Sequence, residues 1–310
     1  MAIASVTCKI GDNTVTLTYN ESTGKYEGKL AVPSKSSYPQ TDHKYGATFT
    51  ATTDGSAQTV TLDRTDGALG DACTVRVYEK VAPTVTITYP GAGAYLSTGA
   101  PTFKVSVSDN DSGVASVAWK IDGSDAASNL DITSSNGVYS ATPKTVLSDG
   151  SHKLEVTATD NDGNTSTAVS VSFTPDTVDP TLNVDSAETV YTAKGSITLT
   201  GTTNDATSGL KSLTYSVDGT NKGEVTVGSD GKFSQTVTLG HVDTGEANVI
   251  TFTVTDKADR TFSVTINVYV DTSIPVFNSV YITPNPASIG TDTELTIVAD
   301  VTTTKVGIQS

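Results

Sequence analysis

SGVASVAWKIDG (Ser112 to Gly123) returns 96 residues later as SGLKSLTYSVDG (Ser208 to Gly219), with Trp119 falling on Tyr215. The same spacing carries TATDNDGN onto TVTDKADR, Asp160 onto Asp256. Within the first copy Val117, Trp119 and Ile121 alternate with Ala118 and Lys120. Upstream, Phe103, Val105 and Val107 alternate with Lys104 and Ser106. Alternation of period two is the pattern of a strand with one buried face. A repeat of this length made of short alternating strands predicts an array of β-sandwich modules.

Working outward, each unit opens on a proline in an extended stretch: VAPTVTI at Pro83, VDPTLNV at Pro180 and SIPVFNSV at Pro275. Proline is tolerated at the start of an edge strand because its missing N–H can face outward, so these prolines mark the junctions. The first unit continues through NGVYSATP, a turn at Ser148-Asp149-Gly150, LEVTATD, a loop from Asn161 to Asn164, and STAVSVSF. That makes about seven short strands, as in a small immunoglobulin-like sandwich. SITLTGTT, LTYSVDG, GEVTVGSDGKFSQTVTL, ANVITFTVTD and TFSVTINVYVD repeat the order in the second unit.

The N-terminal region reads as the same plan entered partway. ASVTCKIGD puts Cys8 in the place of Trp119, GKYEGKL puts Tyr26 on Tyr139, and TFTATTDG puts Thr50, Ala51 and Thr52 on Thr157 to Thr159; CTVRVYEK (Cys73 to Lys80) follows. At the other end VFNSVYITPNP and TELTIVADV resemble the opening two strands of a unit. The expected fold is therefore all-β, tandem immunoglobulin-like β-sandwiches. The expected divisions are a partial or variant domain over 1–80, sandwiches over 81–176 and 177–272, and a strand pair over 273–310.

Composition narrows the function. Nineteen basic against 34 acidic residues give a net charge of −15, which excludes nucleic acid as an expected partner because phosphate binding needs clustered Lys and Arg. No window is apolar enough to span a bilayer, and MAIASVTCKIGDN shows neither a cationic nor an apolar leader segment, so no membrane association and no general export are expected. Cys8 and Cys73 are too few for a disulfide framework; a bridge between them and a pair of free thiols both stay open. His43, His152 and His241 sit near turns ahead of late strands, a repeated structural position without triad or H-E-x-x-H company. With no phosphate loop, activated nucleophile or paired catalytic carboxylates, no enzyme activity is expected.

The acidic loops Asp109-Asn110-Asp111 and Asp160-Asn161-Asp162 follow strands expected to be neighbours. With Asp179 near the junction they form a candidate calcium site, since Ca²⁺ takes six to eight hard oxygen ligands. Asp, Asn and Gly also form turns on their own account, so a purely structural role stays open. Trp119, Tyr215 and Cys8 are expected in the core by alternation, whereas Tyr38, Tyr45, Tyr89 and Tyr95 are expected on outer faces, where glycans or proteins could meet them.

The start MAIASVTCKI with GKYEGKLAVP, the junction VYEKVAPTVTI, and the pair DNDSGV and ATDNDGN resemble bacterial Ig-like repeat proteins, specifically those encoded among tail genes of prophages in gut Firmicutes. The resemblance implies a non-enzymatic structural protein of a phage tail, baseplate or fibre, with other virion tail proteins as partners and host surface glycan as a contact. Its place would be the virion, assembled in the host cytoplasm and released by lysis. The alternative is a bacterial cell-surface adhesin or carbohydrate-binding module, which an export signal would mark. The second unit departs from the pattern where ATDNDGN becomes VTDKADR, which weakens the expectation of a loop ligand there. Because the C-terminal piece supplies the strands absent from the N-terminal region, head-to-tail strand donation into a homo-oligomer is one expectation, and completion of the N-terminal domain by its own CTVRVYEK segment is the other. Deleting residues 273–310 should abolish self-association, and light scattering of the full chain and the deletion side by side tests this.

Overall fold

The alternating segments form strands throughout. The computed structural model describes residues 2–55, 58–287, 289–290 and 294–302. Helical turns among them are confined to three short 3-10 segments, Thr41–His43, Gly70–Cys73 and Ala127–Asn129. The chain divides into two compact units: Met1–Ala94 with Ala100–Leu147 and Ser151–Phe173, and Tyr95–Gly99 with Ser148–Gly150 and Thr174–Ser310.

In the first repeat Leu130–Ser135, Val138–Pro143, Phe103–Ser108 and Thr84–Tyr89 form a four-stranded antiparallel sheet. A second sheet runs Ser124–Asp125, Val114–Ile121, His152–Asp160, Val169–Pro175 and Ala94–Leu96. Phe103, Val105 and Trp119 from one strand of each sheet are buried together with Leu154, Val156 and Phe173, and Phe103 meets Phe173 edge to face at 5.4 Å. This is the sandwich core that alternation places between two inner faces. In the second unit a three-stranded sheet (Thr181–Val184, Ser196–Asn204, Lys232–Thr238) accompanies a five-stranded one (Thr189–Thr192, Thr261–Val270, Asn248–Asp256, Leu210–Val217, Thr220–Glu224). Leu199, Phe233, Val237, Leu213, Ile250, Phe252 and Ile266 fill the space between them.

The repeat is kept down to the register. Trp119 lies opposite Val156, Tyr215 opposite Phe252, and Cys8 opposite Phe49. All three pairings carry an irregularity at the same point, between Val114 and Ser116, Leu210 and Ser212, and Ile3 and Ser5. Such a bulge adds local twist and bends the strand, which stays paired beyond it, Val114 opposite Asp160, Leu210 opposite Asp256 and Ile3 opposite Thr53. Trp119 is buried as expected, but Tyr215 is only half-buried: Leu213 and Val217 on either side of it take the core positions.

The N-terminal region is a single sheet, ordered Lys25–Glu27, Asn13–Asn20, Ile3–Ile10, Tyr45–Thr53 and Thr59–Leu62, with Thr74–Val75 pairing on Tyr45–Thr53. Tyr26 does not occupy the place of Tyr139. Tyr139 pairs with Val105 in the sheet across the sandwich, whereas Tyr26 pairs with Tyr19 on its own sheet, because no described strand stands where Phe103–Ser108 does in the full unit. Cys8, Ala47 and Cys73 are the buried centre of this small core, and both cysteines are free. Burial, and then the neighbouring Cys73, push the Cys8 thiol above its ordinary range, so it has little thiolate and packs as a small apolar group. Val276–Thr283 and Thr296–Thr302 form a two-stranded antiparallel hairpin, the strand pair expected at this end, with Phe277, Val280 and Ile297 exposed.

Gly201, in the middle of the Ser196–Asn204 strand, has no room for a side chain. A Cβ there would lie 2.1 Å from the Asn183 carbonyl oxygen and 2.6 Å from the Phe233 ring. Phe233 closes over the bare backbone and fills the core at that level. Gly201→Ala should therefore cost about 1–3 kcal/mol by overpacking, read as a lowered midpoint in urea or thermal unfolding.

Candidate functional site

Two carboxylate clusters occupy equivalent places in the repeat. One joins Glu79, Asp109 and Asp160, the other Asp176, Asp205 and Asp256; in each, one oxygen from every carboxylate lies within 4.8 Å of the others. Asp109 and Asp205 directly follow the Phe103–Ser108 and Ser196–Asn204 strands, while Asp160 and Asp256 end the His152–Asp160 and Asn248–Asp256 strands. Glu79 and Asp176 come from the segments that lead into Pro83 and Pro180.

The loops are built around these side chains. Asp109 Oδ1 accepts the N–H groups of Asp111 (3.1 Å) and Gly113 (2.7 Å). Asp205 Oδ1 accepts those of Thr207, Ser208 and Gly209 at 3.1, 2.8 and 2.7 Å. A carboxylate that bonds backbone two to four residues on folds its own loop. Gly113 and Gly209 take φ of 82° and 78°, a left-handed turn natural to glycine. Each leading segment is then tied down: Glu79 Oε1 accepts Ser112 N–H at 2.7 Å, and Asp176 Oδ2 accepts Ser208 N–H at 3.0 Å.

The structure thus joins Asp109 with Asp160 and adds Glu79, while the other expected ligands have separate partners. Asp111 Oδ1 accepts Ser36 N–H at 2.9 Å, and Asp162 Oδ2 accepts Glu79 N–H at 2.9 Å. Asp179 pairs with Arg260 at 2.7 Å. Proximity to Pro180 is no guide to where Asp179 points: a cation within reach claims it, and Asp176, three residues earlier, joins the cluster instead. Glu79 and Asp176 lie the same distance ahead of Pro83 and Pro180, and that common offset from the junction prolines was the available signal.

The clusters differ in one respect. Asp160 Oδ1 accepts the Asp162 and Asn164 N–H groups, and Asp160 Oδ2 accepts the Asn164 side-chain amide at 2.8 Å. In the second unit Arg260 stands where Asn164 does. Its backbone N–H bonds Asp256 Oδ1 at 2.9 Å, but its guanidinium is turned to Asp179, and the buried Asp256 Oδ2 accepts no hydrogen bond.

The histidines are held by carboxylates at a second repeated position. His152 Nδ1 lies 2.7 Å from Asp122 Oδ2, and His241 lies 3.4 Å from Asp218 and 3.3 Å from Glu246. Asp122 and Asp218 both take positive φ, 52° and 50°. His43 stacks on Tyr38 at 4.2 Å instead. A small hollow of about 80 Å³ lies beside that pair, lined by Arg76, Tyr78 and Asp162 among others. No helix of the described residues is long and apolar enough to cross a membrane.

Residues 83–156 match the family model described as bacterial Ig domain, and residues 180–272 match that described as glucodextranase, domain B. No curated protein matches the chain. Among solved structures, the fibronectin(III)-like modules of Clostridium thermocellum CbhA are 16% identical, covering 61% of this chain and 95% of theirs with a TM-score of 0.41. Titin domains I67–I69 are also 16% identical, covering 64% and 69% with a TM-score of 0.40. Protocadherin gammaB7 EC3-6 is 16% identical, covering 96% and 77% with a TM-score of 0.33. Strand topology and the bacterial Ig domain match over residues 83–156 together show an all-β fold of tandem Ig-like sandwiches.

Burial opposes ionisation of Asp122, yet the Lys153 N–H, the His152 ring and its positive charge outweigh it and hold this carboxyl below its ordinary value of 3.8. Its contribution to stability is therefore present above that value and lost as pH falls through the lower folded-state value. The side chain is 49% exposed, so solvent screening keeps the contribution to about 0.5–1 kcal/mol. Asp122→Asn should lower the melting temperature at neutral pH, with the gap from the parent protein closing in strong acid; thermal scans across pH check it.

Proposed function

We propose that this Ig-like repeat protein is a non-enzymatic structural component of a phage tail, baseplate or fibre, extending or linking modules and contacting host surface glycan. The observation that carries the structural part is the repeated plan itself. Two sandwiches and the N-terminal sheet keep one register and one bulge position, and their loops are committed to holding strand ends and leading segments. A side chain spent on a backbone N–H within its own loop is a framework group, and that fits a spacer. The virion placement is supported by the resemblance of the N-terminal start and the first junction to tail-gene Ig-like proteins.

Other virion tail proteins are the partners on this reading, and copies of the chain associate through the hairpin of Val276–Thr283 and Thr296–Thr302, whose exposed Phe277, Val280, Tyr281 and Ile297 are apolar. Exposed apolar surface of this kind marks interaction sites. Immunogold electron microscopy with antibody against residues 81–272 should label tails or baseplates in lysates of induced cultures. Gold confined to the walls of intact cells would overturn the virion reading and favour the surface adhesin.

A further inference from the structure

We propose that Asp176, Asp205 and Asp256 form a Ca²⁺ site at one end of the second sandwich. Asp176 and Asp256 are fully buried, and Asp205 is half-buried. Their oxygens converge within 4.8 Å. Among the described residues no Lys, Arg or His forms an ion pair with any of the three. The cations nearest in sequence are engaged elsewhere: Arg260 with Asp179, Lys211 with Asp259, and Lys257 over the Tyr95 ring at 5.6 Å. A buried carboxylate oxygen without a partner is costly, and Asp256 Oδ2 is such an oxygen.

The first cluster serves as an internal comparison. There the equivalent oxygen, Asp160 Oδ2, is satisfied by the Asn164 amide. Replacing that asparagine by Arg260 removes the amide; the guanidinium pairs with Asp179 through one terminal nitrogen, and its buried Nε makes no hydrogen bond, to Asp256 or to any other group. The second cluster is left with negative charge and a bare oxygen where the first has a neutral donor.

The donor set decides the class of ligand. Oxygen alone, with no His or Cys in the cluster, selects a hard cation over zinc or copper. Ca²⁺ accepts irregular sets of six to eight oxygens, with water or backbone carbonyls completing the shell, whereas Mg²⁺ demands a near-ideal octahedron. Bound there, the cation would join the segment at Asp176, the loop at Asp205 and the strand end at Asp256. This inference is independent of the virion reading, because any Ig-like array could carry such a site.

The test uses the full chain stripped with EGTA, titrated with CaCl₂ by calorimetry and followed by thermal unfolding. The parent protein should bind Ca²⁺ and melt higher with it, as mass action requires of a ligand of the folded state. Asp256→Asn and Asp176→Asn should each weaken that site by at least about tenfold, no less than the loss of an outer-shell partner costs. Asp230→Asn, an equal charge change at an exposed residue paired with Lys232, should leave binding intact. Absence of binding and of a melting shift in the parent protein at millimolar CaCl₂ would overturn the proposal. So would unchanged binding in a folded Asp256→Asn or Asp176→Asn, or an equal melting shift from MgCl₂. Two substitutions at different elements keep the test open if one fails to fold.

Discussion

The structure rests on one pairing, made three times: the strand that follows the first acidic loop of a full unit lies antiparallel to the strand that ends at the second. Val114–Ile121 on His152–Asp160 and Leu210–Val217 on Asn248–Asp256 form the middle of each sandwich's larger sheet, and Ile3–Ile10 on Tyr45–Thr53 does the same at the N-terminus. His152–Asp160 and Asn248–Asp256 alternate buried and less buried residues along their length, so a slip of one residue would turn their buried set out to water. The bulge at one common point fixes the register further, and by bending the strand end it brings the loops on either side together. The carboxylate clusters sit where they do because of this pairing.

The packing around that pairing need not be identical in each unit. Trp119 is the largest fully buried side chain of the first core. At the corresponding level of the second, Phe233 and Phe252 approach to 5.3 Å, Gly201 yields its side-chain space to Phe233, and Tyr215 moves to the margin, where it lines an open groove with Lys222 and Thr236. The two cores fill this level with different residues, as close packing permits. The N-terminal sheet uses the smallest option, Cys8, and correspondingly has the smallest buried cluster.

Much of this was legible in the sequence. The spacing of Trp119 and Tyr215 and the alignment of Thr50-Ala51-Thr52 on Thr157-Ala158-Thr159 pointed to one strand plan used three times, and the corresponding strands do pair in the same way. Burial of Trp119 and the meeting of Asp109 with Asp160 were legible for the same reason. What could not be read was anything decided by competition among neighbours. Asp179 went to Arg260, Asp111 and Asp162 went to backbone N–H groups, and Glu79 and Asp176 arrived from leading segments whose course no alternation describes. Tyr26 misled because a matching motif lacked the strand on which its counterpart pairs.

The hairpin of residues 276–302 and the charge of the chain act against each other in solution. Phe277 and Ile297 are 66% and 73% exposed, while 34 acidic residues against 19 basic ones keep molecules apart. That repulsion reaches only about 10 Å at 0.1 M salt and shortens to about 3 Å at 1 M, whereas the attraction between apolar faces does not weaken with added salt. Ionic strength therefore sets how closely two such charged surfaces approach, and the colloidal behaviour of the protein is governed by its surroundings as much as by its fold.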